Sequence, residues 1–420
     1  MGEKAEILHI DSSYSNSNSY SMAYNTNMPP RKILHIDLDA FFCSVEELLD
    51  PSLKGIPFAV GGQPGRRGVV ASCSYAARRY GIRSAMPMGQ ALRACPQLKV
   101  ISGRHAQYGG RSRQVMEILN RYTTLVEVVS IDEAFLDVSD LPQSGRELAE
   151  MIQATILRET KLPCSIGVAT NKLVAKIATD YGKGKHHGDT PPKAITVVEP
   201  GKEAEFLAPL PIRALWGVGP KMEAALQKIG IQTIGDLAHQ PEPLLEAHFG
   251  KYGSDLHRHA LGISGSGIVT ESETKSVSNE TTFDLDVSDL VILERTIRDL
   301  ASQVGYRLRK NRLSASTIKI KLRWPDFTTL TRQTSFNHPT SQDTAIHNAA
   351  LKLFHSVWSA DRKVRLIGVG VSGLCDDAHQ LALWDTENEK EHRLLGAVDE
   401  IRKRFGKEVL KKASKLKNSR

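Results

Sequence analysis

Two short acidic groups in the sequence could share one piece of chemistry. Asp37 and Asp39 close the run Ile33-Leu34-His35-Ile36-Asp37-Leu38-Asp39, and Asp132-Glu133 stands about a hundred residues on. The first group ends an apolar stretch that reads as a strand, whose period of two puts Asp37 and Asp39 on one face. Two solvated acids at a surface strand end would look the same. The second group lies in the turn of a predicted antiparallel hairpin, between strands at 126–130 and 135–138. If the two strands are neighbours, Asp37, Asp132 and Glu133 converge. Three carboxylates in one place repel unless a cation compensates them. Oxygen donors of this kind suit Mg²⁺, and the set fits two ions about 3.5–4 Å apart. The Leu38 backbone carbonyl offers a further oxygen, while Asp39 is expected to orient backbone.

Other residues suit a phosphate-bearing substrate. Tyr75, Arg78 and Lys176 are candidate phosphate contacts: a guanidinium matches two phosphate oxygens, and an ammonium serves as a point charge. An isolated Arg on a helix is otherwise usually solvated. Phe42, beside the acids, could block a ribose 2′-hydroxyl, since a hydroxyl pressed on a ring loses its hydration; Phe41 is compatible with a core aromatic. Gly217-Val218-Gly219 followed by Lys221 could present backbone N–H groups to a phosphate, tracking a strand without reading bases. Between 303 and 332 stand Arg307, Arg309, Lys310, Arg312, Lys319, Lys321, Arg323 and Arg332, against the single acid Asp326. Lys319, Lys321 and Arg323 alternate along one strand, and a basic sheet face binds polyanion backbone. Gln380-Leu381-Ala382-Leu383-Trp384 reads as a compact apolar plug for a partner's pocket, or as a last strand packed on its own domain.

The elements that must position these groups come from a chain of 420 residues, long enough for two to four domains. Net charge is +8, and residues 401–420 alone carry nine basic side chains against one acid. The rest is near neutral, so any basic surface elsewhere is local. The five cysteines form no Cys-x-x-Cys pair, which argues against a disulfide framework or zinc site and for a reducing, cytoplasmic setting. No apolar run is long enough to span a membrane. Residues 1–30 read as a flexible leader rather than a signal peptide. Within it, Ile7-Leu8-His9-Ile10-Asp11 nearly repeats the catalytic strand, with Ser13 in place of Asp39. The last α+β unit is expected in the order strand, helix, strand, strand, helix, strand.

Six stretches together resemble a Y-family translesion DNA polymerase of the bacterial DNA polymerase IV class. They are Ile36-Asp37-Leu38-Asp39-Ala40-Phe41-Phe42, Ser74-Tyr75-Ala76-Ala77-Arg78-Arg79-Tyr80-Gly81-Ile82, Ser130-Ile131-Asp132-Glu133-Ala134-Phe135-Leu136-Asp137, the segment 167–178, Leu215-Trp216-Gly217-Val218-Gly219, and the segment 275–283. They span about residues 31–405 in family order. The resemblance implies an α+β right hand with an added C-terminal domain. Palm would be 31–40 and 104–190, fingers 41–103, and thumb 191–262 with a helix-hairpin-helix. A linker at 263–274 would lead to a DNA-binding little finger at 275–378, then a clamp peptide, helix and basic tail at 379–420.

By the same resemblance, Asp37, Asp132, Glu133 and the Leu38 carbonyl hold two Mg²⁺, with Mn²⁺ able to substitute. Phe42 is the steric gate, and Phe41, Ser72, Tyr75, Arg78 and Lys176 meet the nucleotide. Gly217, Gly219, Lys221, Lys275, Arg307, Lys319, Lys321, Arg323 and Arg332 meet DNA. Gln380, Leu381, Leu383 and Trp384 meet a sliding clamp, with Trp384 where the family usually has Phe. The loop 183–188 and the leader depart from the family pattern. The implied activity is template-directed, low-fidelity synthesis past lesions by a monomer acting on primer-template DNA and a dNTP, without proofreading. A polymerase V-type subunit dependent on accessory proteins, a non-catalytic DNA- or clamp-binding scaffold, and a palm-domain cyclase are the alternatives.

Overall fold

The computed structural model describes residues 30–271, 273–376, 386–406 and 409. The acids sit where the expected first strand ends. β1 (Ile33–Leu38) passes into α1 (Phe41–Leu49) and is buried along almost its whole length. β2 (Phe58–Gly61), β3 (Val70–Cys73) and β4 (Lys99–Ile101) form a separate three-stranded sheet, with α2 (Tyr75–Arg78) and α3 (Met88–Ala94) between β3 and β4. α4 (His105–Leu119) then leads back to the β1 layer. β5 (Val126–Val128), β6 (Glu133–Asp137), α5 (Gly145–Thr160), β7 (Cys164–Ala169), α6 (Lys172–Gly184) and β8 (Ile195–Val197) complete it. The five-stranded order is β5-β6-β1-β7-β8, so β1 is central, antiparallel to β6 and β7. A strand covered on both faces reads as a continuous apolar run, which is why Ile33, Leu34 and Ile36 lack strict alternation.

Gly167 on β7 sets how closely α6 lies on this sheet. A Cβ there would stand 2.0 Å from the Ala175 carbonyl oxygen and 2.6 Å from the Thr179 nitrogen. Glycine therefore lets α6 lie flush against β7 and brings its lysines over the strand ends.

Short helices follow: α7 (Glu203–Leu207), α8 (Pro220–Lys228), α9 (Ile234–Ala238), α10 (Glu242–Phe249) and α11 (Lys251–Ala260). Their core is continuous with α6, since Leu173, Val174 and Ile177 cluster with Leu215, Leu226 and Leu256. The last unit runs β9 (Ser276–Val287), α12 (Leu290–Lys310), β10 (Leu313–Arg323), β11 (Thr329–Thr340), α13 (Asp343–His355) and β12 (Val364–Asp376), the order expected from sequence. Its sheet order is β11-β10-β12-β9. α14 (Thr386–Phe405) packs back onto it through Arg309, which is buried and reaches Asp343 Oδ1 at 2.9 Å and Asp399 Oδ2 at 2.8 Å. Arg309 is thus a structural ion pair and leaves the basic surface counted from sequence. Arg67, on the loop between β2 and β3, donates to Asp286 Oδ1 at 2.7 Å and so joins that sheet to β9. The five cysteines are unpaired. Among the described residues, no helix is long and apolar enough to cross a membrane.

Candidate active site

Register brings the two acidic groups together. Asp37 on β1 faces Glu133 on β6, and Leu38 N–H donates to the Asp132 carbonyl at 2.9 Å. The three acids therefore lie at the same end of two neighbouring strands. Burial and the nearby Asp37 and Glu133 charges raise the Asp132 carboxyl above its usual range, partly offset by a hydrogen bond from Ser130. Glu133 is held low, at about 2, by His35 and by Lys176 against the cost of burial. Lys176 Nζ lies 2.8 Å from Glu133 Oε2; His35 Nε2, at 3.4 Å, is at the outer limit of hydrogen bonding. Among the described residues, no three His, Cys, Asp or Glu side chains draw close enough to enclose a metal. The donor set is nonetheless all anionic oxygen, which fits a hard divalent ion.

Lys176 was expected to meet phosphate, yet its ammonium is engaged by Glu133. Lys183, which the sequence reading left out, sits two turns further along α6. Its Nζ is 2.7 Å from Asp37 Oδ1 and 3.8 Å from Asp39 Oδ1. The signal was available: seven residues is close to two helical turns, so both lysines share a face. Asp39 does orient backbone. Fully buried, it accepts the Lys193 N–H at 3.0 Å and the Ser165 hydroxyl at 2.8 Å, fixing the entry to β8.

Phosphate donors surround the acids. Ala40 enters α1 with φ of 46° and no side-chain cap, leaving first-turn N–H groups beside Asp37. Tyr75 opens α2, which Ser74 caps by accepting the Ala77 N–H. The Tyr75 hydroxyl is buried without a partner. Burial and the Asp39 and Asp37 charges push its pKa up, so it stays a donor. The Arg78 guanidinium lies 4.4 Å over the Tyr75 ring. Ser72 is buried on β3. Phe41 is 2% exposed and its side chain belongs to the core.

Phe42 is different. It is half-buried and stacks on Tyr108, with centroids 4.4 Å apart and planes 16° from parallel. Tyr108 in turn donates to the buried Glu46 carboxylate at 2.6 Å, and Arg104 pairs with the same group.

Two surfaces lie beyond the centre. Gly217 takes φ of 97°, and a Cβ there would stand 2.7 Å from the Tyr252 hydroxyl, which donates to its carbonyl. Gly219 precedes α8 as its N-cap, and Lys221 is exposed in the first turn. On β10, Lys319 and Lys321 face Gly370 and Gly368 of β12, with Ser278 and Glu280 of β9 beyond. Lys321 pairs with Glu280 at 2.8 Å, and Arg323 donates to Thr329. Arg307 reaches the Ser278 carbonyl from α12, and Lys275 is exposed just before β9. Arg332 departs from this set. It pairs with Ile320, whose side chain is in the core, so Arg332 lies on the opposite face of the sheet. Gln380, Leu381, Leu383 and Trp384 fall outside the described residues.

Comparison with known proteins identifies the family. The impB/mucB/samB family model matches residues 36–180, its C-terminal domain 274–383, and the IMS family HHH motif 200–231. The chain is 41% identical over 383 residues to DNA polymerase IV of Dehalococcoides mccartyi, covering 90% of this chain and 96% of that one. It is 41% identical over 347 residues to DNA polymerase IV of Listeria innocua, covering 82% and 95%. Among solved structures, a Y-family DNA polymerase chimera superposes with TM-score 0.73 at 27% identity, over 82% of this chain and 99% of that one. An insertion ternary complex of Dbh DNA polymerase gives 0.58 at 27% identity, over 81% and 98%. The chain therefore belongs to the impB/mucB/samB family of Y-family DNA polymerases, in the DNA polymerase IV class, and is a template-directed nucleotidyltransferase that synthesises DNA with low fidelity past template lesions.

Proposed function

We propose that Asp37, Asp132, Glu133 and the Leu38 carbonyl hold the two Mg²⁺ of this polymerase, with Mn²⁺ able to substitute. Bound there, the ions would supply charge neutralisation at the dNTP phosphates and ready the primer 3′-hydroxyl for attack on the α-phosphate. The observation that carries the reading is the register of β1 on β6, which sets Asp37 opposite Glu133 with Asp132 adjacent.

The chain's own residues do the rest. Lys176 holds Glu133 ionised and in place. Lys183, the Tyr75 hydroxyl, Arg78 and the α1 N-terminus converge on where a triphosphate would lie, and their preset charge needs little reorganisation during reaction. Ser72 is the more buried member of that wall. Phe42 stands against the sugar and excludes a 2′-hydroxyl, while Tyr108 keeps its ring from yielding. Asp39 keeps the β7–β8 side of the cleft fixed.

DNA is held by backbone contacts. Gly217, Gly219 and Lys221 meet one strand, and Lys319, Lys321, Arg323, Arg307 and Lys275 meet the duplex from the last unit. We assign palm to 31–40 and 104–190, fingers to 41–103, thumb to 191–262 and little finger to 275–378, after a linker at 263–274. Gln380, Leu381, Leu383 and Trp384 would take the chain to a sliding clamp, and the enzyme acts as a cytoplasmic monomer. Primer extension with Mg²⁺ tests the centre: Asp132→Ala is expected to abolish extension while still binding primer-template. Wild-type extension by that variant would remove Asp132 from the metal site.

A further inference from the structure

The connection from α6 to β8 brings a histidine to the nucleotide cleft. His186 lies edge-on to Tyr75, with centroids 6.0 Å apart and 89° between the planes. Its Nε2 is buried and has no hydrogen-bond partner, and the same is true of the Tyr75 hydroxyl. Buried polar atoms are rarely left so in folded proteins, because each loses its water without replacement. Here two such atoms share one wall, and the Arg78 guanidinium stands beside them. The Lys183 backbone carbonyl accepts the His186 backbone N–H at 3.3 Å, which fixes the loop, and the Arg78 guanidinium covers the Tyr75 ring. Two unpaired polar atoms beside a guanidinium, with the Lys183 ammonium held nearby against Asp37, describe a pocket for an anion with several oxygens.

The loop is built to hold the ring there. A Cβ on Gly188 would stand 2.9 Å from His186 Nε2, so a side chain at 188 would push the imidazole aside. Next along, Asp189 pairs with Arg79 just beyond α2 at 2.7 Å, which ties the connection across the cleft.

We propose that His186, carrying its proton on Nε2, is a further nucleotide contact that donates to the terminal phosphates of the incoming dNTP and to the pyrophosphate that leaves. The assignment rests on the reading that places the triphosphate at Tyr75 and Lys183. No bond to His186 forms or breaks; it binds.

Steady-state single-nucleotide insertion on a primer-template tests this, with inorganic pyrophosphate as product inhibitor. His186→Ala is expected to raise KM for dNTP roughly tenfold, the size of one hydrogen bond to a charged group, with kcat little changed. Inhibition by pyrophosphate should weaken in parallel, and affinity for primer-template should hold. His186→Gln, which keeps a donor, should recover most of the loss. His186→Phe, which keeps a ring on Tyr75 but no donor, should behave as the alanine variant does. Wild-type KM in His186→Phe would assign the residue to packing and overturn the proposal. So would wild-type KM and pyrophosphate inhibition in His186→Ala while Lys183→Ala raises KM. Unchanged KM in both Lys183→Ala and Tyr75→Phe would instead overturn the phosphate pocket, and this contact with it.

Discussion

The Phe42 ring lies face to face on Tyr108, 4.4 Å between centroids, and Tyr108 is fixed through its hydroxyl to the buried Glu46. A gate is only as selective as the wall behind it is stiff. Tyr108→Ala should let Phe42 recoil and cut discrimination against ribonucleotides about tenfold, close to 1.4 kcal/mol. Phe42→Ala should cut it further. Tyr108→Phe keeps the ring and should retain discrimination, while losing about 1–2 kcal/mol of stability as Glu46 loses a donor. Relative kcat/KM for dCTP and CTP, with thermal unfolding, would decide it.

The two lysines of α6 should separate kinetically. Lys176 touches Glu133 and Lys183 touches Asp37. Lys176→Met leaves a buried carboxylate without its cation and is expected to lower kcat more than tenfold with little change in KM. Lys183→Met should raise KM for dNTP by a similar factor. Equal effects of both variants on KM would refute the division of roles.

Asp39 offers a stability test. Its carboxylate accepts two hydrogen bonds inside the fold. Asp39→Ala should cost about 2–4 kcal/mol, since the buried Ser165 hydroxyl and the part-buried Lys193 N–H lose their acceptor. Asp39→Asn keeps an acceptor and should cost less. Urea unfolding of both variants measures the difference.

Gly167→Ala should act at a distance from any chemistry. The added methyl meets the α6 backbone, and the helix cannot yield without moving Lys176 and Lys183. A loss of about 3 kcal/mol or more, with reduced kcat in the folded fraction, is expected. A variant of wild-type stability and rate would show that α6 is not held by this contact.

The basic face should appear in the salt dependence of DNA binding. Lys319→Ala and Arg323→Ala are each expected to reduce the slope of log K against log salt by about 0.9. Lys321→Ala should do less, because Glu280 already pairs with it. Arg332→Ala should leave the slope unchanged. A full unit lost on removing Arg332 would place DNA on the other face.

Much of the centre was legible because its signals are local. An apolar run ending in Asp37, and a turn carrying Asp132 and Glu133, are read from neighbouring residues alone. Asp39 was also separable as an orienting group, and burial agrees. What was missed depends on register or on distant partners. Lys183 needed the helical phase of α6 to be carried two turns past Lys176. Arg332 needed the pairing of β10 with β11, whose parity depends on the turn between them. Arg309 counted as surface charge because its partner Asp399 lies 90 residues away. Phe41 and Phe42 look alike in sequence, and only the roll of α1 sends one to the core and the other to the cleft.

Gly368 and Gly370 lie between the β10 lysines and β9, with a Cβ at either only 3.0 Å from the next strand's side chain. The middle of that face is consequently bare peptide flanked by charge. That glycine strip has nothing that could project into a groove and compare one base with another. What it can register is the spacing of phosphates, which is the same behind a damaged base as behind an intact one. If the duplex lies on this face, as proposed, the grip there would be indifferent to what the enzyme has written.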